Sequence, residues 1–447
     1  MGPEVEEQIT AWREFVSGRD AIAGDVAELE GHLRDQIDAL EAAGLAPDEA
    51  FLVAVKRMGR LDDLSREFAR EHSDRLWKQL VIGGSPAAAR PDSGWVLAIA
   101  LAVGAAVAVH LPRLFGLTFD SAPEVFVRNI PVLVLPFLAA FFLVRRRAGL
   151  GTILVVAAAF IAAGAILNLY PFVPDGATQV LAAVHTAIAL WIVTGIAYVA
   201  GDWRSDRARM DFIRFTGEWF VYFVLLGLGG GVLIALTVGV FNAIGLDVTW
   251  FVEDWMLPCG IAGAVVIAGW LVEAKQSVIE NIAPVLTKVF TPLFTLLLLA
   301  LIVAGLFQGN PVESARDLLI IFDAVLIVVL ALMLYSLSAR EPGAAASWFD
   351  RLQLLMVIAA LAIDVILLIA MIGRIGAYGA SANKLASLGL NLILFVNLAG
   401  SAWLQFGLLR GRTTHSALER WQTSYLPVYL AWAIVVAVVF PPVFAFA

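Results

Sequence analysis

The chain has 447 residues, of which 60% are hydrophobic and only 15% are charged. A soluble globular domain has roughly a quarter of its residues charged, so the composition excludes an ordinary soluble protein. The formal net charge is −8. No basic stripe is present to neutralise phosphates, which excludes nucleic acid as a main partner. Charged residues concentrate in residues 1–80, which predicts a water-facing N-terminal part followed by a lipid-embedded body.

Residues 1–81 are predicted to form a cytoplasmic four-helix domain. The second predicted helix, 19–43, has its apolar residues at three- and four-residue steps, which is typical of one stripe of an amphipathic helix. These residues are Val26, Leu29, Leu33, Ile37 and Leu40. The other predicted helices are 4–16, 47–58 and 62–80. A bundle this small buries little surface, so we expect self-association or a cytoplasmic protein partner through residues 1–81. Residues 82–93 are rich in Gly, Pro and Ser, which predicts a linker.

This N-terminal stretch carries a recognisable residue pattern. The pattern consists of Glu28-Leu29-Glu30, His32-Leu33, Gly44-Leu45, Asp48-Glu49-Ala50-Phe51, Lys56-Arg57-Met58-Gly59 and Glu67-Phe68-Ala69. It resembles the bacterial permease prefix domain, which is similar to the helical signalling domain found beside PadR-type regulators. The resemblance implies a cytoplasmic, helical, non-catalytic module attached to membrane or regulatory proteins. Ala46 departs from the pattern, which usually has a Ser or Thr helix cap there.

Residues 94–447 are predicted to cross the membrane eleven times. From Trp95 onward, apolar runs alternate with short polar loops, and each run has about the 20 residues that a helix needs to cross the hydrocarbon layer. The predicted spans are 94–111, 129–144, 150–170, 179–200, 215–243, 256–273, 289–307, 318–337, 352–372, 383–408 and 425–445. The predicted fold class is therefore all-α, a polytopic helical membrane protein with a small N-terminal cytoplasmic helical bundle. The first span is expected to act as the targeting signal, because it begins too late for a cleavable signal peptide.

Lys and Arg in the loops predict the orientation of the body, since positively charged loops remain in the cytoplasm. One set of loops holds Arg145, Arg146, Arg147, Arg204, Arg207, Arg209, Arg214, Lys275, Lys288, Arg340, Arg351, Arg410, Arg412 and Arg420. The opposite set holds Arg113, Arg128, Arg316, Arg374 and Lys384. This asymmetry predicts a multi-pass protein of the bacterial inner (plasma) membrane, with a cytoplasmic N-terminus and a C-terminus outside.

Glycines interrupt the fifth predicted span, 215–243. Gly227, Gly229, Gly230 and Gly231 fall within it. They predict close helix packing. The alternatives are a broken helix that forms a ligand site and a strongly tilted span.

The last spans also resemble a known family. The C-terminal string RWQTSYLPVYLAWAIVVAVVFPPVFAFA and the segment NIPVLVLPFLAAFFLVRRR look like an uncharacterised bacterial membrane family, described only as a domain of unknown function and often joined to the prefix domain. The resemblance implies no catalytic residues.

Ionisable residues inside spans are costly and mark candidate functional sites. Asp364 lies near the middle of its predicted span, Asp323 lies inside the preceding one, and Asn391 lies at a similar depth in the next. Together they predict one polar cluster open to the outside. Burial and like charge oppose the ionisation of both carboxylates, which suits proton or cation exchange. The alternative is a structural ion pair in which Lys384 or Arg374 neutralises them.

Polar residues also recur at every fourth position of the tenth predicted span. Asn383, Ser387 and Asn391 form one set, and Asn397, Ser401 and Gln405 form the other. Each set lies along one side of a helix, which indicates either a wet path or ordinary hydrogen bonding between helices. Asn397, Glu218 and His185 are secondary polar candidates; for Glu218 and His185 a packing role is favoured over catalysis.

No enzyme signature occurs in the sequence. HExxH, GxSxG and Walker-type motifs are absent, as is any Cys or His cluster for a metal, so we predict neither enzymatic activity nor a cofactor. Three functions remain. The favoured hypothesis is a regulatory or sensory membrane protein that relays a membrane or ligand signal through residues 1–81. The alternatives are a secondary transporter or ion-coupled permease and a structural scaffold of a membrane complex. In each case the lipid bilayer is a partner.

Overall fold

A computed structural model describes residues 5–6, 8–10, 26–42, 45–58, 94–174, 176–274, 282–308, 316–340 and 347–447. These residues contain helices and no strand. The chain divides into two compact units, residues 1–92 and residues 93–447, which we call the N-terminal unit and the membrane unit.

The N-terminal unit contains helix α1, Val26–Ala42, and helix α2, Pro47–Met58. Its buried core joins both helices to residues near the N-terminus: Val5, Ile9, Leu33, Ile37, Leu40, Ala50, Phe51, Ala54 and Val55. Arg34 forms ion pairs with Glu6 and Glu30. The hydrogen bond to Glu6 is the main influence that raises the pKa of the Arg34 guanidinium above its ordinary value. The predicted helix 62–80, the linker 82–93 and most of the predicted helix 4–16 lie outside the described residues.

The membrane unit is built mainly from long apolar helices, with two short ones, α13 and α14, near its C-terminal end. Its main α-helices are α3 Trp95–Ala108, α4 Pro123–Arg145, α5 Leu150–Leu169, α6 Ala177–Tyr198, α7 Asp206–Ala243, α8 Leu257–Ala274, α9 Ile282–Gln308, α10 Arg316–Ser338, α11 Trp348–Tyr378, α12 Ala382–Leu409, α13 His415–Ser424 and α14 Leu426–Ile434. After α14 a π-helical turn, Val435–Val439, leads into the short helix Phe440–Val443. Among the described residues, 10 helical segments are long and apolar enough to cross a membrane. The predicted all-α polytopic membrane fold is confirmed.

Several predicted spans are shorter than the observed helices, among them 129–144, 215–243 and 352–372. Two others differ in a way that affects how a span is recognised. The seventh, 289–307, falls within α9, where the described apolar stretch Thr287–Val303 is shorter than the others. The last candidate span begins at His415 rather than near residue 425. Its first helix, α13, is too polar to be recognised as membrane-spanning from its sequence, yet Leu418, Gln422 and Thr423 are buried.

Helix α7 is a single continuous helix of 38 residues, so the alternative of a broken helix is wrong. Among the described residues, the close packing predicted for its glycine cluster is also not formed. A Cβ atom added at Gly227, Gly229, Gly230 or Gly231 would meet no atom of this part of the chain within 4 Å. This half of α7 carries exposed Leu228, Val232 and Leu236. In a bilayer this apolar surface faces lipid rather than other described helices of the chain.

The membrane unit has two main hydrophobic cores. The first joins α3–α8 around Phe142, whose ring lies 5.1 Å from those of Tyr198 and Phe215 in edge-to-face arrangements. The second joins α9–α12 around residues such as Leu326, Met356 and Leu394. Short loops join most consecutive helices, so alternate loops lie at opposite ends of the unit. We call the end that holds Arg146 the arginine-rich end and the end that holds Arg113 the arginine-poor end.

Gly400 in α12 is expected to tolerate no side chain. A Cβ atom there would overlap the indole ring of Trp421, which is held because its Nε1 donates to the Asn397 carbonyl oxygen at 3.0 Å. We expect Gly400→Ala to destabilise the protein by about 1–3 kcal/mol. The measurement is the apparent melting temperature of the purified protein in detergent.

The matched control is Gly373→Ala in α11, where an added Cβ meets nothing within 4 Å. There the better helix propensity of alanine should leave stability unchanged or raise it by up to about 1 kcal/mol. A Gly400→Ala protein that melts at or above the wild-type temperature would contradict the packing described here.

Candidate functional site

Three neighbouring helices bring polar side chains together inside the second core. Asp323 lies on α10, Asp364 on α11 and Asn391 on α12, and each pair of these helices is in contact. Asn391 Nδ2 donates a hydrogen bond to Asp323 Oδ1 at 2.9 Å and lies 3.4 Å from Met371 Sδ. Helices α10 and α12 begin at the same end of the unit. At 1.5 Å per residue, Asp323 and Asn391 therefore lie about 10 Å and about 14 Å from the starts of their helices.

Asp364 is the most unusual member of this cluster. It is completely buried, at 0% exposure, and neither of its carboxylate oxygens has a hydrogen-bond partner among the described residues. The charged group that acts on it is the carboxylate of Asp323. A buried polar group without a partner costs roughly 1–3 kcal/mol. Asp364 therefore destabilises this core unless a proton, a cation or water satisfies its oxygens.

Asn391 contributes a third unsatisfied oxygen. Its side chain is also 0% exposed, and its Oδ1 atom has no hydrogen-bond partner in the described part of the chain, because its amide nitrogen faces Asp323 and Met371. Among the described residues, two oxygen atoms of Asp364 and one of Asn391 are thus buried without partners. Asp364 lies seven residues, about 10 Å, along α11 from Met371, the residue that contacts Asn391. Carboxylate and amide oxygens are the ligands that hard cations prefer.

The structural ion pair predicted as the alternative is not formed. Lys384 Nζ donates to the carbonyl oxygen of Gly379 at 2.8 Å and lies 5.7 Å from the centre of the Tyr378 ring. Lys384 therefore satisfies carbonyls at the end of α11 and is not part of the cluster. Within the described ranges, no Lys or Arg side chain forms an ion pair with Asp323 or Asp364, and this includes Arg374.

A polar stripe leads from the arginine-poor end of α12 toward the cluster. Asn383 and Ser387, near the start of the helix, are partly exposed, whereas Asn391 is buried. The Ser387 hydroxyl also interacts with the Asp323 carboxylate, so the stripe and the carboxylates are continuous. The two residues nearest the end of the helix are thus partly exposed, and the third, Asn391, is buried.

The second polar set on α12 has a different role. Asn397 Nδ2 donates to Gln422 Oε1, and Gln422 Nε2 donates to Asn397 Oδ1, each at 3.2 Å. Gln422 also donates to the Ser401 hydroxyl. All three side chains are buried. For Asn397 and Ser401, the structure therefore supports hydrogen bonding between helices α12 and α13 rather than a wet path.

The Asn397–Gln422 pair yields a prediction for stability. We expect Asn397→Leu and Gln422→Leu each to lower stability by about 1–3 kcal/mol, because each leaves the other amide buried without its partner. The double variant should lose less than the sum of the two single losses, since no unpaired partner amide remains. Melting temperatures of the four proteins in detergent measure this coupling, and strictly additive losses would show that the amides do not act as a pair.

The two isolated candidates contact other groups. Glu218 on α7 is 5% exposed and lies near Tyr222 and Tyr335. His185 Nδ1 lies 2.8 Å from the carbonyl oxygen of Leu181, one turn earlier in α6. These surroundings agree with the favoured packing roles.

The structure also reveals a cluster that sequence reasoning missed, at the arginine-poor end. His110 Nε2 lies 3.3 Å from Cys259 Sγ, and Arg113 pairs with Asp254 at 2.9 Å. The Trp255 ring lies against His110, with 4.5 Å between centroids. The sequence shows that His110 follows the first apolar run and that Cys259 begins the sixth. It does not show that α3 and α8 are neighbours, so the two residues could not be placed together. Within the described segments, no three His, Cys, Asp or Glu side chains gather as metal ligands.

Comparisons with known proteins found no family model, no curated protein and no solved structure that matches this chain. The resemblances to the permease prefix domain and to an uncharacterised membrane family therefore stay predictions. The candidate site has to be judged on its own geometry and chemistry.

Proposed function

We propose that this integral membrane protein is a secondary transporter that exchanges protons for a small monovalent cation at Asp323, Asp364 and Asn391. The observation that carries the proposal is the complete burial of Asp364 with both carboxylate oxygens unpartnered. A packed membrane interior retains such a group at a cost, and intramembrane carboxylates commonly mark ion pathways. Although the sequence alone favours a regulator, this geometry supports transport better.

The exchange is balanced in charge. At rest Asp364 holds a proton, which removes the repulsion from the Asp323 carboxylate. A cation that enters takes the oxygens of Asp364 as ligands, and the Asp364 proton leaves to the solution. One positive charge enters as one departs, so the buried site never holds two uncompensated carboxylates.

Within this proposal the arginine-rich end faces the cytoplasm of a bacterial inner membrane, as the positive-inside rule predicts. The route along Asn383 and Ser387 then opens to the outside. Both side chains are partly exposed and both lie on the polar stripe that ends at Asn391. This supports access to the carboxylates from the arginine-poor side.

The direct test is proton release by the purified full-length protein in a weakly buffered detergent solution. Adding NaCl or KCl should release protons from the wild type, while an equal ionic strength of choline chloride should not. Asp364→Asn should release none, because the amide holds no exchangeable proton. Asp120→Asn is the matched control, since Asp120 is exposed at the arginine-poor end and should leave the release unchanged. Equal release from Asp364→Asn and the wild type would reject the exchange site.

A second function is supported by the separate N-terminal unit. Residues 1–92 form a compact unit with a core of their own, and the prefix resemblance implies a non-catalytic cytoplasmic module. We propose that this unit makes the helix contacts with a cytoplasmic partner or a second copy that a signalling role requires. Deleting residues 1–81 should abolish this association in a cross-linking assay and leave proton release intact. Unchanged cross-linking would exclude the relay.

A further inference from the structure

A cavity of about 290 Å³ opens at the arginine-rich end of the membrane unit, among the ends of α9, α10, α11, α12 and α13. Its polar wall includes Lys288, Arg340, Asp350, Gln353, Gln405 and His415. None of these residues belongs to the carboxylate cluster. The cavity is therefore a separate feature that the proposed transport function does not explain.

Two buried amides face this cavity without partners. Gln353 and Gln405 are each 5% exposed. In the segments that the structure describes, neither Gln353 Nε2 nor Gln405 Oε1 has a hydrogen-bond partner. Buried amides are normally hydrogen-bonded, and leaving one unpaired is costly. The cavity thus offers one unsatisfied donor, on α11, and one unsatisfied acceptor, on α12.

His415 adds a second acceptor. Its Nδ1 atom faces the Glu419 carboxylate at 3.5 Å, and we assign the proton of the neutral ring to this nitrogen. His415 Nε2 is then an acceptor, and it too is buried without a described partner. The two acceptors, Gln405 Oε1 and His415 Nε2, can each accept a hydrogen bond from a ligand hydroxyl group. Gln353 Nε2 can donate a hydrogen bond to a ligand oxygen.

The charges on the wall favour an anion. Arg340 forms an ion pair with Asp350, and the Ser347 backbone N–H donates to the other oxygen of that carboxylate at 2.6 Å. Asp350 is therefore already satisfied. Lys288 has no ion-pair partner within the described ranges. Among the residues that line the cavity, the positive charges of Lys288 and Arg340 therefore outnumber the negative charge of Asp350 by one, while Glu419 lies behind His415 and is not part of the lining.

We propose that this cavity binds a hydroxylated phosphate with the chemistry of glycerol phosphate. The two sources are the headgroup of an anionic phospholipid such as phosphatidylglycerol and a free polyol phosphate. The phosphate would lie at Lys288 and Gln353, and the hydroxyls would donate to Gln405 and His415. The volume is near the lower limit for small-molecule pockets, about 300 Å³, and fits a group of this size. A basic pocket at the ends of membrane helices lies at headgroup level, where anionic lipids bind.

The test uses the purified full-length protein in neutral detergent, with melting temperature and native mass spectrometry as readouts. Phosphatidylglycerol, phosphatidylcholine and free glycerol 3-phosphate are titrated separately. Gln353→Leu and Gln405→Leu should each weaken binding by about tenfold, the effect of one lost hydrogen bond. Both variants should melt at or above the wild-type temperature without ligand, because each removes an unpaired buried amide. Gln179→Leu is the matched control, a buried glutamine at the start of α6.

Each outcome decides the proposal. Stabilisation by phosphatidylglycerol but not by phosphatidylcholine, weakened by Gln353→Leu and unchanged by Gln179→Leu, supports a lipid headgroup. Stabilisation by glycerol 3-phosphate, with the same response to the variants, supports a free solute. If neither compound stabilises the protein, or if both cavity variants bind like the wild type, the cavity holds only water and the proposal is overturned. Proton release does not enter this test, so its failure is independent of the transport proposal.

Discussion

Asp364→Asn is expected to abolish cation-driven proton movement across the membrane. In proteoliposomes with an entrapped pH dye, an imposed Na⁺ or K⁺ gradient should change the internal pH when the wild type is present. In the variant the rate should fall to that of protein-free vesicles. The physical reason is that the amide neither releases a proton nor balances the charge of a buried cation, and the remaining carboxylate of Asp323 is already engaged by Asn391 at 2.9 Å.

The control for this flux experiment is Asp120→Asn, at an exposed position outside the core, which should transport like the wild type. Fluorescence-detected size exclusion verifies that both variants are folded and equally abundant in the vesicles. Wild-type rates in the Asp364→Asn vesicles would remove Asp364 from the proposed mechanism.

The same substitution should also stabilise the fold. At alkaline pH the ionised form of both carboxyl groups is favoured. Under these conditions we expect Asp364→Asn to raise stability by about 1–3 kcal/mol, because the substitution removes a buried charge that no described group compensates. A structural ion pair would respond in the opposite direction, since removing one partner of a buried pair costs about 3–5 kcal/mol. The measurement is the apparent melting temperature in detergent.

Asp350→Asn provides the contrast for this second prediction. Asp350 pairs with Arg340 and closes a capping box with Ser347 at the start of α11. Its replacement should lower stability by at least about 1 kcal/mol, a typical value for a lost cap, because the largely buried Arg340 guanidinium also loses one partner. If Asp364→Asn destabilises the protein as Asp350→Asn does, then Asp364 has a structural role and the account of the cluster is wrong.

The sequence predicts the architecture well because hydrocarbon thickness imposes the same length on every span. It predicts the ends of the helices less well. The polar residues of α13 conceal the start of the last candidate span, since Gln422 and Thr423 are buried by pairing with other polar groups rather than by being apolar. The glycines of α7 are ambiguous for a related reason. A small residue permits close packing, but only the neighbouring helices determine whether any occurs.

Within the candidate site, the proximity of Asp323 and Asn391 is predictable from depth along neighbouring helices. The environment of Asp364 cannot be predicted in this way, because whether its carboxylate has a partner depends on every side chain around it. Lys384 illustrates the same limit. Its sequence position places it near the carboxylates. In the structure, however, its ammonium group donates hydrogen bonds to carbonyl oxygens at the end of α11 instead.

The most direct test of the central claim is infrared difference spectroscopy of the purified protein, recorded with and without Na⁺ or K⁺. We expect the cation to remove an absorption band of a protonated buried carboxyl group. This band should be missing from Asp364→Asn and unchanged in Asp120→Asn. A spectrum in which no protonated carboxyl band responds to either cation, or in which the responding band persists in Asp364→Asn, would contradict this claim.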